Sequence, residues 1–66
     1  MHITLNGKRR HIAPGQSLHD LVLSMNLDPA VVVAELNRDI VPGAQFAATV
    51  LRDGDRLELL SFVGGG

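Results

Sequence analysis

The opening residues alternate between apolar and polar side chains. Met1, Ile3 and Leu5 fall on one face of an extended chain, and His2 and Thr4 fall on the other. A period of two predicts a half-buried strand.

Asn6-Gly7 follows this strand, and both residues tolerate the positive φ of a type I′ hairpin turn. Residues 8–12 should therefore return as a second strand. This strand carries the basic run Lys8-Arg9-Arg10-His11. We interpret the run as a solvated edge that resists edge-to-edge pairing, in preference to a phosphate-binding patch.

The period changes to that of a helix after Pro14-Gly15, which suits the centre of a type II turn. Ser17 can cap the helix, and Asp20 three residues later completes a weaker form of the capping box. The apolar positions then recur at i, i+3, i+4 and i+7, namely Leu18, Leu21, Val22 and Met25. This spacing predicts one core-facing stripe over two turns, and Asn26 and Asp28-Pro29 end the helix.

The middle of the chain is almost continuously apolar over residues 30–36, with three consecutive valines. Such a run predicts a strand with both faces at least partly covered. The pattern then predicts, in order, a turn at 37–39, a short extended piece at 40–41, a type II turn at Pro42-Gly43, one helical turn over 44–48 with Phe46 pointing inward, and a short strand over 49–52.

The last predicted strand spans residues 56–62, after a turn at Asp53-Gly54-Asp55. One of its faces carries Leu57, Leu59 and Ser61, and the other carries Arg56, Glu58, Leu60 and Phe62. The first face should meet the helix. Leu60 and Phe62 would then be exposed as a docking surface, or would cover a small second core under the loop at 42–48. The pattern leaves both alternatives open.

The composition argues against several classes of partner. The chain has 66 residues, no cysteine, a net charge of −1, two Phe, and no Trp or Tyr. A near-neutral chain without stacking aromatics argues against a nucleic-acid partner. No apolar run approaches the ~20 residues of a membrane span, so no membrane partner is expected. The lack of cysteine fits the cytoplasm.

The C-terminal residues Val63-Gly64-Gly65-Gly66 are the most informative stretch. Glycine is costly to order, so such a tail adds little to a core. It offers a slim strand with a free carboxylate, which suits insertion into a narrow tunnel of another protein. We therefore predict a domain over 1–61 and a flexible tail over 62–66, with Gly66 as the working group. A frayed end or a cloning remnant is the alternative.

Together these elements predict an α+β chain. One main helix covers one face of a mixed sheet of four to five strands, and the final strand lies centrally, parallel to the first. This is the β-grasp, or ubiquitin-like, fold with a flexible C-terminal glycine tail.

In its motifs and their order, the chain resembles the sulfur carrier proteins of thiamine biosynthesis. The resemblance runs through the whole chain in order and spacing, and rests on the opening Met-x-Ile-x-Leu-Asn-Gly, Pro14-Gly15-Gln16-Ser17-Leu18, Val33-Ala34-Glu35-Leu36-Asn37, Ile40-Val41-Pro42, Asp53-Gly54-Asp55 and the final Gly65-Gly66. Gly64 departs from the pattern, since relatives often carry a small non-glycine residue there. The terminal pair is unaffected.

The resemblance implies a carrier that is not itself an enzyme and binds no cofactor. A C-terminal carboxylate is an anion at neutral pH and a poor electrophile. In the family, an adenylating enzyme related to ubiquitin-activating enzymes uses ATP to activate it. A persulfide on a donor protein then displaces AMP, and the product is a thiocarboxylate at Gly66. Its sulfur passes to thiazole synthase. Gly64 and Gly65 would thread the partner's tunnel. Glu58, Leu60, Phe62 and Val63 would dock on the partners, and the free chain is expected to be a monomer.

Three other functions fit the same features. One is the small subunit of a molybdopterin synthase, which shares the Gly-Gly end but is usually longer and forms a lasting complex. Another is a ubiquitin-like protein modifier, which would form conjugates with lysines. The third is an interaction module whose tail is inert.

Overall fold

The structure, a computed structural model, describes residues 1–62 of the chain. Its strands and main helix are β1 (His2–Leu5), β2 (Lys8–His11), α1 (Leu18–Ser24), β3 (Val32–Leu36), β4 (Asp39–Val41) and β5 (Arg56–Ser61). Two 3₁₀ helices, Pro29–Val31 and Gly43–Ala48, connect them.

The five strands form one mixed sheet in the order β2-β1-β5-β3-β4. β5 lies in the centre, parallel to β1 and antiparallel to β3. β2 and β4 are the two edges, each antiparallel to its neighbour. This is the predicted β-grasp arrangement, with the final strand central and the first strand beside it.

Both tight turns between antiparallel strands follow from residues that tolerate positive φ. Asn6 and Gly7 have φ of 49° and 80°, as a type I′ turn requires. Asn37 and Arg38 repeat this geometry at 50° and 74° between β3 and β4. The predicted hairpin and the predicted turn at 37–39 are confirmed.

Helix α1 begins where the sequence predicts. The hydroxyl of Ser17 accepts a hydrogen bond from the Asp20 backbone N–H at 3.0 Å, and the Asp20 carboxylate accepts one from the Ser17 N–H at 3.1 Å. This capping box satisfies two N–H groups that the first turn leaves without partners.

The main core lies between α1 and one face of the sheet. The helix contributes Leu18, Leu21 and Val22, with Met25 half-buried at its end. The remaining buried apolar residues lie outside α1, namely Ile3, Leu5, Ile12, Val32, Ala34, Phe46, Leu51, Leu57 and Leu59.

Two local predictions in the second half of the chain are wrong. Pro42-Gly43 does not form a type II turn, because Gly43 is not among the residues with positive φ. Pro42 instead precedes the 3₁₀ helix that buries Phe46 completely. The strand expected over 49–52 is reduced to a single bridge between Val50 and Ser17, because the chain there meets only the short segment that enters α1.

The third correction concerns β3, which begins at Val32 rather than at residue 30. Asp28 caps the 3₁₀ helix Pro29–Val31 by accepting from the Ala30 N–H at 2.9 Å, and this delays the strand. The two faces of β3 are covered unequally: Val32 and Ala34 are buried, whereas Val33 is 41% exposed. A single helix covers one face of the sheet, and the opposite face of β3 stays open to solvent.

Candidate functional site

The predicted site residues fall into two groups. Glu58, Leu60 and Phe62 lie on or directly after β5 and are described by the structure. The other predicted site residues, Val63, Gly64, Gly65 and Gly66, lie outside the described residues.

The alternation along β5 separates its core residues from its exposed ones. Leu57 and Leu59 are buried against α1, whereas Leu60 and Phe62 are 59% and 55% exposed. Their predicted exposure is confirmed. The alternative, a second core under the loop at 42–48, is wrong because Phe46 of that loop turns into the main core instead.

Two neighbouring strands extend this exposed surface. Val33 of β3 lies directly opposite Leu60 in the β3–β5 register. Ile40 of the edge strand β4 is 62% exposed and pairs with Glu35 of β3. Val33, Glu35, Ile40, Glu58 and Leu60 line one shallow depression in the sheet.

We call Val33, Glu35, Ile40, Glu58, Leu60 and Phe62 the candidate docking face. Glu58, Leu60 and Phe62 were predicted from the sequence, whereas Val33, Glu35 and Ile40 were not. The available signal was the strict alternation within β3, which places Val33 and Glu35 on one face once α1 is assigned to the other.

The charged residues of the candidate docking face carry the same sign. Glu35 and Glu58 are directly opposite each other on β3 and β5. Like charges at opposed positions of an antiparallel pair destabilise the sheet. A partner that brings a Lys or Arg side chain to this position would relieve the repulsion while its apolar groups cover Leu60 and Val33.

Hydrogen bonds from a turn hold the end of β5 in position. The side-chain amide of Asn6 accepts from the Leu59 N–H at 2.8 Å and donates to the Leu59 carbonyl at 3.2 Å. The Asn6 side chain thereby continues the hydrogen bonding between β1 and β5 beyond the end of β1. On the other side of β5, the Phe62 N–H donates to the Val31 carbonyl at 2.8 Å. Backbone hydrogen bonds therefore continue past the end of β5 to Phe62, the last described residue.

Within residues 1–62, no group of three or more His, Cys, Asp and Glu side chains is arranged to hold a metal ion. None of the helices found in that part of the chain is both long enough and apolar enough to cross a membrane.

Known proteins are similar to this chain both in sequence and in structure. The model of the ThiS family matches residues 3–66. The sulfur carrier protein ThiS of Escherichia coli is 32% identical over 66 residues, and the match covers the whole of both chains. A crystal structure of the thiamine biosynthesis protein (ThiS) from Geobacter metallireducens superimposes with a TM-score of 0.84 at 33% identity, again over all of both chains.

A thiazole synthase of Paramagnetospirillum magneticum is also similar. It is 33% identical over 66 residues, which is the whole of this chain. The chain spans only 20% of the length of that protein.

Proposed function

This chain belongs to the ThiS family of sulfur carriers in thiamine biosynthesis, and on that premise we propose that Gly66 carries the sulfur as a thiocarboxylate. The observation that supports this proposal is the position of the candidate docking face. Leu60 on β5 and Phe62 directly after it are exposed, and both come shortly before the C-terminal glycines in the sequence. A partner that covers them would receive the tail next to its own binding surface.

The first proposed step is activation of the Gly66 carboxylate. One carboxylate oxygen attacks the α-phosphate of ATP, which is bound by the adenylating enzyme, and pyrophosphate leaves. The resulting acyl-adenylate is a good electrophile because AMP is a far better leaving group than an oxide ion. The carrier supplies the acyl group and the partner supplies the catalytic machinery.

The second proposed step brings in sulfur. The terminal sulfur of a protein persulfide attacks the acyl carbon of Gly66 and AMP leaves, giving an acyl disulfide. A thiol then attacks the sulfur of that disulfide that belongs to the donor's cysteine, which is the one not bonded to the acyl carbon. The thiol is oxidised to a new disulfide, and the thiocarboxylate is released with both electrons of the cleaved S–S bond.

We propose thiazole synthase as the acceptor of this sulfur. The similarity of the whole chain to about a fifth of a protein named thiazole synthase supports this choice. An adenylating enzyme and a persulfide donor are the other proposed partners. Each complex must be transient, because one carrier serves two enzymes in turn, and a small docking face suits weak binding.

Glu58, Leu60, Phe62 and Val63 remain the proposed docking residues. We add Val33, Glu35 and Ile40 to the proposal because they line the same depression as Glu58 and Leu60. Gly64 and Gly65 remain the proposed neck of the tail. The division into a domain over 1–61 and a tail over 62–66 and the cytoplasmic location also stay predictions.

The mass of the intact protein tests the chemical proposal. The chain is isolated from cells grown without thiamine, and its mass is compared with that of the unmodified chain. Replacement of one oxygen by sulfur adds about 16 Da, and fragmentation should place the gain on Gly66. Because thiocarboxylates hydrolyse, the control is the purified adenylating enzyme with ATP. Failure to form an adenylate at Gly66 in that reaction would refute the proposal.

A further inference from the structure

The edge strand β2 holds a concentration of positive charge that the carrier role does not use. Three of the six Lys and Arg residues of the chain occupy three consecutive positions, Lys8, Arg9 and Arg10. His11 follows, and all four side chains are exposed. The net charge of the chain is −1, so this edge is a segregated basic surface on a nearly neutral protein.

Within residues 1–62, no strand pairs with the outer side of β2, which leaves the backbone groups of two of its residues free there. Met1 and Ile12 exchange both of their backbone hydrogen bonds, at 3.2 and 2.9 Å. In an antiparallel pair, residues that bond to the neighbouring strand alternate with residues that point away from it. In this register, Arg10 faces β1, and the N–H and C=O groups of Arg9 and His11 point outward from the sheet.

The basic side chains do not share one face. Arg9 and His11 are opposite Thr4 and His2, on the face away from α1. Lys8 and Arg10 are opposite Leu5 and Ile3, which face the core, so these two cations lie on the side of α1. The positive charge therefore alternates above and below the edge with the period of the strand.

His2 of β1 lies beside the cations of β2. The His2 and His11 rings lie 5.0 Å apart, and the Arg9 guanidinium is 3.4 Å from His2 Nδ1. The pKa of His2 is lowered from its ordinary value of 6.5, first by desolvation and then by the charges of Arg9 and His11.

We propose that β2 binds an extended acidic segment of a partner protein, which adds to the sheet as a sixth strand. An added strand satisfies the outward groups of Arg9 and His11 and presents its own side chains alternately to both faces. A run of Asp and Glu residues in that strand meets the cations above and below the edge. The ligand is therefore an acidic peptide segment with consecutive carboxylates.

Two other occupants fit less well. A nucleic-acid backbone approaches from one side, so it meets only half of these cations, and the outward N–H and C=O groups stay unpaired. A second copy of this chain would offer β4, the other sheet edge, where Asp39 is next to Arg38. That edge has too little negative charge to match β2.

Protection from exchange tests the proposal on the isotope-labelled full chain. The probe is a capped peptide with four consecutive glutamates between two valines. Binding should slow hydrogen exchange of the Arg9 and His11 amides about tenfold, because they acquire acceptors, and high salt should reverse the effect. The matched control peptide has lysines in place of the glutamates.

Two pairs of variants separate the contribution of the backbone from that of charge. H11P removes an outward N–H without breaking a bond to β1, whereas H11A removes the ring alone. We expect H11P to bind the glutamate peptide about tenfold more weakly than H11A. The double variant R9Q/R10Q should lose binding as strongly, and R52Q, a cation outside β2, should retain it.

Three results would overturn the proposal. The first is the absence of any change at β2 with millimolar glutamate peptide, and the second is equal binding by H11P and H11A. The third is stronger binding of single-stranded DNA or polyphosphate than of the peptide, which would assign the edge to phosphate ligands. None of these measurements involves Gly66, so they are independent of the proposed sulfur chemistry.

Discussion

At the scale of single residues, exposure and hydrogen bonding separate the side chains that build the fold from those available to a partner. Phe46 and Phe62 are the two aromatic residues of the chain. Phe46 is completely buried and Phe62 is 55% exposed. The same side chain thus fills the core at one position and presents apolar surface to solvent at the other.

Replacing Phe62 with Asp should weaken binding to the adenylating enzyme far more than it changes stability. A half-exposed side chain at the end of a strand contributes little to the core, so the free energy of unfolding should change by about 0.5 kcal/mol or less. Titration calorimetry and urea unfolding measure the two effects.

Leu23→Asp is the matched control, since Leu23 is 50% exposed but lies on α1, away from the candidate docking face. It should retain binding. Unchanged binding of the Phe62 variant, or its outright unfolding, would remove Phe62 from the docking residues.

Replacing Asn6 with Gly should destabilise the fold by about 1–3 kcal/mol, because the N–H and C=O of Leu59 lose their partners. Glycine keeps the positive φ at this position, so the turn itself is preserved. Asn26→Gly is the control: Asn26 also has positive φ, and within residues 1–62 its side chain makes no hydrogen bond. Equal losses from the two variants, measured by urea unfolding, would disprove the role of the Asn6 side chain.

At the scale of elements, local hydrogen bonds start the helix and strand register assembles the candidate docking face. The capping box orders the first turn of α1 through neighbouring residues alone. The register of β3 and β5 places Val33 opposite Leu60 and Glu35 opposite Glu58. The capping box acts within four residues, whereas the register of β3 and β5 joins segments about 25 residues apart in the sequence.

The capping box predicts a dependence of stability on acid. Hydrogen bonds from Ser17, first from its backbone N–H and then involving its side chain, lower the pKa of Asp20 from 3.8. A carboxyl whose folded pKa is depressed contributes fully above its unfolded pKa, and its contribution is lost as the pH falls through the folded value. Asp20→Asn should therefore be less stable than the parent at pH 7.

As the pH falls below 3.8, the stabilities of the parent and Asp20→Asn should converge. Thermal unfolding over a pH series provides the comparison, with Asp39→Asn as a control on β4. A difference between Asp20→Asn and the parent that stays constant at all pH values would contradict the assigned role of the carboxylate.

The Glu35–Glu58 pair predicts opposite effects on stability and binding. Glu58→Lys converts a like-charge pair across β3 and β5 into an oppositely charged one. The fold should gain about 0.2–1 kcal/mol, while binding to the proposed partners should weaken because the acidic charge is reversed. Urea unfolding and titration calorimetry measure the two quantities on the same sample. A gain in both would show that the partners do not recognise Glu58 as an acid.

At the scale of the whole molecule, the fold separates its surfaces. α1 and the core lie on one side of the sheet, and the candidate docking face lies on the other. The basic edge β2 is two strands away from β5. A chain of 66 residues can therefore meet partners of different chemistry on separate surfaces.

This separation predicts that the glycine residues can be removed without loss of the fold. Within residues 1–62, Leu59 is the last buried apolar residue of the core, so we expect the deletion of Gly65 and Gly66 to leave that core intact. Melting behaviour should be nearly unchanged, whereas sulfur acceptance should be abolished. Calorimetry and the mass assay with adenylating enzyme, persulfide donor, thiol and ATP measure the two outcomes. A large fall in melting temperature would refute the separation of domain and tail.

Much of this protein follows from the sequence alone. The Asn6-Gly7 turn, the capping box, the phase of β1 and β5 and the central position of β5 were all predictable. Each depends on residues close together in the chain, through allowed φ values, side-chain period or a local hydrogen bond. The order and spacing of such motifs over the whole chain also indicated the sulfur carrier family.

Only the tertiary structure decided which apolar residues remain exposed. The alternation within β3 separates Val33 from Val32 and Ala34, but it does not say how exposed Val33 is, since burial depends on what packs against β3 from elsewhere in the chain. Phe46 packs into the main core and does not cover Leu60, so Leu60 stays exposed. The opposition of Glu35 and Glu58 arises from strand register, a property of two distant segments, and so do the outward-pointing backbone groups of Arg9 and His11.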